Sequence, residues 1–265
     1  MIHDRNVDAA GGPIRFLEAG AGWPVMLLHA FPLTPDMWRP QLERVPDGWR
    51  FIAPDLRTFG TRGSSAPSMT DYAGGVSALL DALELDRAII GGLSMGGYIT
   101  FELFRRAPER FTGILLADTR AQADTPEGRQ ARRKMSELVR TKGPAAVADQ
   151  MLPKLLSETT LRRRGHVVAQ VRQLIESSDV AEIDAAIHAL MTRPDSTPDL
   201  ARISLSTLVL VGEEDSITPI SDAELLQQQI PRSQLVILPG AAHLSNLEAP
   251  DEFSTALTNF LGSNL

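Results

Sequence analysis

The chain contains no cysteine. That absence excludes disulfides, a thiol nucleophile and cysteine metal ligands. Positive charge is scarce as well: 26 Lys and Arg stand against 33 Asp and Glu, a formal net charge of -7, which repels a phosphate backbone and argues against a nucleic-acid partner. No apolar run approaches the ~18 residues a membrane span needs, and the opening MIHDRNVDAAGGP has no apolar signal-peptide core. The expectation is a soluble, cytoplasmic protein that contacts neither nucleic acid nor membrane.

What the chain does hold is enough apolar residue for a sizeable core. It has 265 residues, 43% hydrophobic and 22% charged, which suits one large domain or one domain with an insertion. Short runs rich in Val, Ile and Leu alternate with longer amphipathic stretches, the order of an α/β protein with a parallel sheet. Strands are expected at 14–18, 25–29, 50–53, 88–93, 113–117, 207–211 and 234–238, and helices at 35–44, 70–83, 97–106, 219–229 and 250–261. The residues before the first of these, His3 included, read as a polar tail.

The alternation breaks between about 120 and 203. Apolar residues there recur at helical spacing: Ala131, Met135, Leu138 and Val139, then Val167, Val171 and Leu174, then Ile183, Ile187 and Leu190. Asp179 followed by Glu182 reads as a capping box opening the last of these helices. The expected organisation is a core at 1–119 and 204–265 with a helical insertion at 120–203.

Chemistry enters at RAIIGGLSMGGYIT, residues 87–100. A strand-forming run stops at Ser94, and Gly92, Ser94 and Gly96 fit G-x-S-x-G, the nucleophile elbow, in which a serine is presented on a sharp strand-to-helix turn. Glycines two residues to either side remove side chains that would strike neighbouring backbone, and the helix amino terminus favours developing negative charge. A serine needs a base. Of five histidines, His243 in LPGAAHLSNLEAP follows the last expected strand and lies in a small-residue loop. His3, His166 and His188 fall in the tail and the insertion, and His29, ending a strand, suits a loop-shaping role. An acid must orient the base. Asp215 in LVLVGEEDSITP follows a strand and lies between Ser94 and His243 in sequence; Asp118, after GILLA, is its rival at another strand end, and Glu213 and Glu214 share the turn.

An oxyanion needs donors. The backbone N–H of Met95 is one, and the loop HAFPLTPDMW offers a second at Phe31. Phe31, Trp38, Met95, Met151 and Met191 are apolar and are candidates to line a substrate pocket, with Leu155 beside them. Asp55 and Arg57 in DLRTFGTRGSS are read as a structural pair holding a loop, and the basic clusters around Arg132 and Arg163 as solvated helix faces.

Five separated pieces, HAFP, APDLRTFGTRGSS, GLSMGGY, GEEDSITP and GAAHLSNLEAP, together resemble the α/β-hydrolase fold superfamily. GLSMGGY and AHLSNLEAP look most like small bacterial carboxylesterases, arylesterases and 3-oxoadipate enol-lactonases. The resemblance implies an eight-stranded, mostly parallel sheet with helices on both faces, the 120–203 insertion as a cap over the site, and no metal or organic cofactor. It implies a carboxylesterase-like serine hydrolase acting on a small ester or lactone; the sequence leaves monomer and homodimer both open. The same triad serves lactone hydrolysis, C–C bond hydrolysis or perhydrolysis, and a non-catalytic receptor of this fold ordinarily lacks a triad member. Relatives with Asp at the elbow, the haloalkane dehalogenases and epoxide hydrolases, are excluded by Ser94. One departure stands out: the oxyanion loop usually reads His-Gly, and here Ala30 follows His29. At a position needing φ > 0, alanine strains or displaces that loop.

Overall fold

The computed structural model describes residues 1–60 and 67–263. Its strands are β1 (His3–Ala9), β2 (Gly12–Gly20), β3 (Trp23–Leu28), β4 (Trp49–Pro54), β5 (Ala88–Leu93), β6 (Phe111–Ala117), β7 (Thr207–Gly212) and β8 (Ser233–Leu238). They form one eight-stranded sheet in the order β1-β2-β4-β3-β5-β6-β7-β8. Only β2 runs against its neighbours; every other pairing is parallel. Every residue of β5 and β7 is buried, which is why AIIGGL and TLVLVG read as unbroken small or apolar runs and not as alternation.

The amino-terminal tail expected from the sequence is instead β1. HDRNVDA is mostly exposed and polar, so it carries no hydrophobic pattern; backbone pairing with β2, His3 opposite Glu18 through Ala9 opposite Gly12, orders it. His3 is therefore an exposed edge-strand residue.

Helices α1 (Arg39–Leu42), α2 (Met69–Ala82) and α3 (Met95–Arg106) follow β3, β4 and β5. Four more stand between β6 and β7: α4 (Pro126–Leu155), α5 (Glu158–Arg163), α6 (Gly165–Glu176) and α7 (Val180–Thr192). Gly143, at φ 78°, breaks α4 in two, and the Asp179–Glu182 capping box opens α7 as read from the sequence. The two ends of the α4–α7 segment come together where the Ser196 N–H donates to the Ala121 carbonyl at 2.8 Å. Helices α8 (Ile220–Gln229), α9 (Ser245–Glu248) and α10 (Pro250–Gly262) complete the chain. No helix among the described residues is long and apolar enough to cross a membrane.

Topology sets the place of the site. From β3 the chain steps one way to β4, then crosses to the other side of β3 for β5 and continues outward. The loops leaving the carboxyl ends of β3 and β5 therefore diverge, and a crevice opens between them. Two contacts hold that crevice. A Cβ added to Gly92 or Gly96 would stand 2.2 or 2.3 Å from the Leu28 carbonyl oxygen, so β3 touches both sides of the β5–α3 turn through bare backbone. The second contact is His29, whose Nε2 accepts from the Leu56 N–H at 2.9 Å while Nδ1 lies 3.0 Å from the Ala30 carbonyl oxygen. With Nε2 accepting, Nδ1 carries the hydrogen and donates. Burial pushes the imidazole pKa down to about 4 despite the nearby Asp55 carboxylate. The ring is neutral and pins the loop after β3 to the loop after β4. The sequence loop from Asp55 to Ser64 is described only as far as Gly60; within it Arg57 grips Asp55 through two hydrogen bonds at 2.6 and 2.8 Å.

Both contacts are testable. Gly92→Ala and Gly96→Ala should each lower the unfolding free energy by about 2–4 kcal/mol, because a backbone oxygen has no room to give way; urea unfolding of each variant measures it. For His29 the folded pKa lies below the unfolded value of about 6.5, so the unfolded chain binds the extra proton, and the contribution present above pH 6.5 is lost as pH falls towards 4. Between pH 7.5 and 4.5 the wild type should lose about 2–3 kcal/mol more than His29→Gln, which can still accept from Leu56. Equal losses in paired urea titrations would overturn the assignment of a neutral His29.

Candidate active site

Ser94 stands between β5 and α3 at φ 55°, ψ −108°. A side chain rarely adopts this region, so surrounding bonds must hold it. The Ser94 N–H donates to the Ala117 carbonyl at 2.9 Å, and its own carbonyl accepts from Thr119 Oγ1 at 2.9 Å and from the Gly97 and Tyr98 amides. The hydroxyl projects from the sheet edge at the amino terminus of α3, with 9% of the residue exposed.

His243 follows β8 and Asp215 follows β7, so both reach the same carboxyl edge. Ser94 Oγ lies 2.9 Å from His243 Nε2, and His243 Nδ1 lies 2.8 Å from Asp215 Oδ2. An ionised carboxylate only accepts, so the hydrogen sits on Nδ1 and leaves Nε2 free to accept from the serine. Asp215 is fixed by the Ile217 and Thr218 amides at 2.8 and 3.0 Å and by Thr218 Oγ1 at 2.6 Å. Burial pulls its pKa up, but His243 and the hydrogen bonds from His243 and Thr218 outweigh that and hold it below the ordinary carboxylate value.

The rival acid is buried next door. Asp118 accepts from the Gly212 amide at 2.8 Å and pairs with Ser245 Oγ at 2.5 Å, making no hydrogen bond to His243. Burial first and the Asp215 charge second push its carboxyl well above the usual range. Two adjacent buried carboxylates do not both ionise easily, and the one with the histidine keeps the charge.

Met95 is the first residue of α3, so its N–H lies outside the helix's own ladder. Phe31 sits in the 30–33 turn closed by the Leu33 N–H on the Ala30 carbonyl at 2.9 Å. Ala30 is not among the residues with positive φ, which besides glycines are Glu84, Ser94 and Asp118 in the described chain. Alanine therefore fits there without the strain foreseen from the missing glycine.

Phe31 and Met95 line one narrow cavity together with His29, Ala30, Pro32, Leu33, Arg57, Tyr72, Ser178, Glu182, Ile183 and Ala186. Its floor comes from the core and its roof from α7. The other pocket candidates lie elsewhere. Trp38 is fully buried and packs against Phe253 at 5.8 Å between ring centroids, a core contact; Met151 is buried in α4 and Met191 is half-buried near the end of α7, and neither lines the cavity. Arg132 pairs with Asp124 at 3.2 Å and Arg163 is exposed. The arginine that reaches the cavity is Arg57, which also donates to the Ser177 carbonyl at 2.9 Å and lies 3.7 Å from Glu182.

Sequence reasoning passed over Tyr72 and Glu248 and read Glu182 only as a capping residue. Glu248, buried, accepts from the Ala242 amide at 2.8 Å and from Ser157 Oγ at 2.7 Å, tying the His243 loop to the insertion. Its only signal is an acid flanked by apolar residues in LEAP. Among the described residues no group of three or more His, Asp or Glu side chains is placed to hold a metal ion.

The geometry has counterparts among known proteins. The Alpha/beta hydrolase family profile matches residues 25–256. A protein of Acinetobacter baylyi named 3-oxoadipate enol-lactonase 2 is 31% identical over 227 residues, covering 83% of this chain and 82% of that protein. A thermophilic esterase from Thermogutta terrifontis, solved with malate bound, superposes with a TM-score of 0.92 at 38% identity over 99% of both chains. The enol-lactonase from Burkholderia xenovorans superposes with a TM-score of 0.87 at 27% identity, over 97% of this chain and all of that one, 100%. By profile, sequence and fold, the chain belongs to the alpha/beta hydrolase family.

Proposed function

We propose that this hydrolase cleaves carboxylic esters of small acyl or aromatic type through an acyl-enzyme on Ser94. The observation that carries the reading is the unbroken hydrogen-bonded chain from Ser94 Oγ to His243 to Asp215, at 2.9 and 2.8 Å; the amides of Met95 and Phe31 are assigned as the oxyanion donors. His243 Nε2 takes the hydroxyl proton as Ser94 Oγ attacks the ester carbonyl, and Asp215 stabilises the imidazolium that forms. The carbonyl oxygen gains negative charge and is met by the two amides. The C–O bond of the ester then breaks, and His243 returns the proton to the leaving alcohol. Water repeats the cycle on the acyl-enzyme and releases the acid.

A lactone is a cyclic ester and fits the same sequence of steps, which the two enol-lactonase relatives favour. An anionic lactone is a poorer fit. Arg57, the one Arg or Lys lining the cavity among the described residues, is already paired with Asp55 and faces Glu182. The cleft therefore suits neutral substrates.

Hydrolysis of p-nitrophenyl esters from acetate to decanoate should be saturable and favour the short chains. Ser94→Ala should lower kcat by about 10⁴–10⁶. Retained activity would remove Ser94 as nucleophile. Asp215→Asn should lower kcat by about 10²–10⁴, whereas Asp118→Asn should keep at least about a tenth of it, since a neutral side chain already suits that site. The reverse ranking would reassign the acid.

A further inference from the structure

Two hydroxyls in the cavity have no hydrogen-bond partner. Tyr72 on α2 is fully buried and Ser178, between α6 and α7, is 5% exposed; neither Tyr72 Oη nor Ser178 Oγ is bonded. Other buried hydroxyls among the described residues are satisfied, Thr100 on Gly96, Ser157 on Glu248 and Thr218 on Asp215 among them. Folded proteins seldom leave such groups unpaired. Trp38 Nε1 is also unpaired, but it lies in the core against Phe253. Among the described residues, only Tyr72 and Ser178 combine an unpaired hydroxyl with a wall of the cavity that Phe31 and Met95 share, one following β4 and the other between α6 and α7.

We propose that these two hydroxyls bind a neutral hydrogen-bond acceptor of the substrate, an ether, carbonyl or hydroxyl oxygen a few atoms from the reacting carbonyl. The inference rests on the ester-hydrolase reading and names the substrate class within it. Charge decides in favour of a neutral group. The charged residues facing the cavity are Arg57 and Glu182, 3.7 Å apart, with Asp55 holding Arg57 from behind at 2.6 Å. An anion would meet two carboxylates, and a cation would find Glu182 already engaged with Arg57 and the Asp179 amide. Tyr72 is kept as a donor: burial first, then the charges of Glu182 and Asp71, push its phenol up and keep the proton on it. The Gly60 backbone packs against the phenol, where a Cβ would stand 2.4 Å from Oη.

Two pairs of neutral, nearly isosteric esters test this on either side of the reacting bond. For the acyl side, p-nitrophenyl methoxyacetate is set against p-nitrophenyl butyrate; for the alcohol side, 2-methoxyethyl acetate against butyl acetate, followed by pH-stat. The readout is the ratio of kcat/KM within each pair for the wild type, Tyr72→Phe and Ser178→Ala, so that intrinsic ester reactivity cancels between proteins. In one pair the wild-type ratio should exceed the ratio in each variant by about tenfold, as expected for removal of one partner of a buried hydrogen bond. Ratios unchanged in both pairs would overturn the proposal and leave the hydroxyls to a resident water. Ser94→Ala measured alongside separates the two readings: retained turnover sinks the hydrolase reading and this inference with it, whereas unchanged ratios in a Ser94-dependent enzyme sink the inference alone.

Discussion

The site depends on backbone touching backbone. Leu28, the last residue of β3, presents its carbonyl oxygen to Gly92 and Gly96 at once, so two strands and a helix meet with no side chain between them. That closeness lets the chain reverse at Ser94 within one residue, at a φ that only dense hydrogen bonding sustains. Strain and rigidity are coupled here. A looser packing would relax the serine to an ordinary conformation and draw its hydroxyl away from His243.

The buried charges are arranged around a second constraint. Asp118 and Asp215 end adjacent strands, β6 and β7, and desolvation would oppose ionising both. The protein resolves the conflict by unequal partners. Asp215 receives amide, hydroxyl and imidazole donors, while Asp118 has the Gly212 amide and the amide and hydroxyl of Ser245 but no imidazole. The carboxylate charge thereby settles beside the imidazole and not one strand away. Ser245 on α9 takes the other side of Asp118, so the loop carrying His243 is braced against both acids.

Much of this was legible in the sequence because local sterics and strand order leave few choices. Gly92 and Gly96 announce a close approach, and a strand before Ser94 with a helix after it sets the serine on the carboxyl edge. His243 and Asp215 follow from the need for a base and an acid at other strand ends of that edge. The edge strand β1 was not legible, since HDRNVDA buries too little to show alternation. Pocket residues were the least readable. Trp38, Met151 and Met191 satisfied hydrophobicity alone, whereas Arg57, Tyr72 and Glu182 meet at the cavity only through tertiary folding of a loop, α2 and α7. Ala30 illustrates the limit from the other side: a glycine expected from resemblance proved unnecessary because the backbone there has no positive φ.

The bonds that join Ser196 to Ala121 and Arg193 to Gln122 have a consequence for how such a chain can change over evolutionary time. A segment whose two ends meet at one point behaves like a cassette, and its helices can lengthen, shorten or be replaced without moving a strand in the sheet. Residues on the roof of the cavity, Ile183 and Ala186 among them, belong to that cassette, while Ser94, Asp215 and His243 belong to the frame. The cavity roof and the Ser94–His243–Asp215 chain thus lie in different stretches of sequence, and Arg57 and Glu248 are among the residues that tie those stretches together.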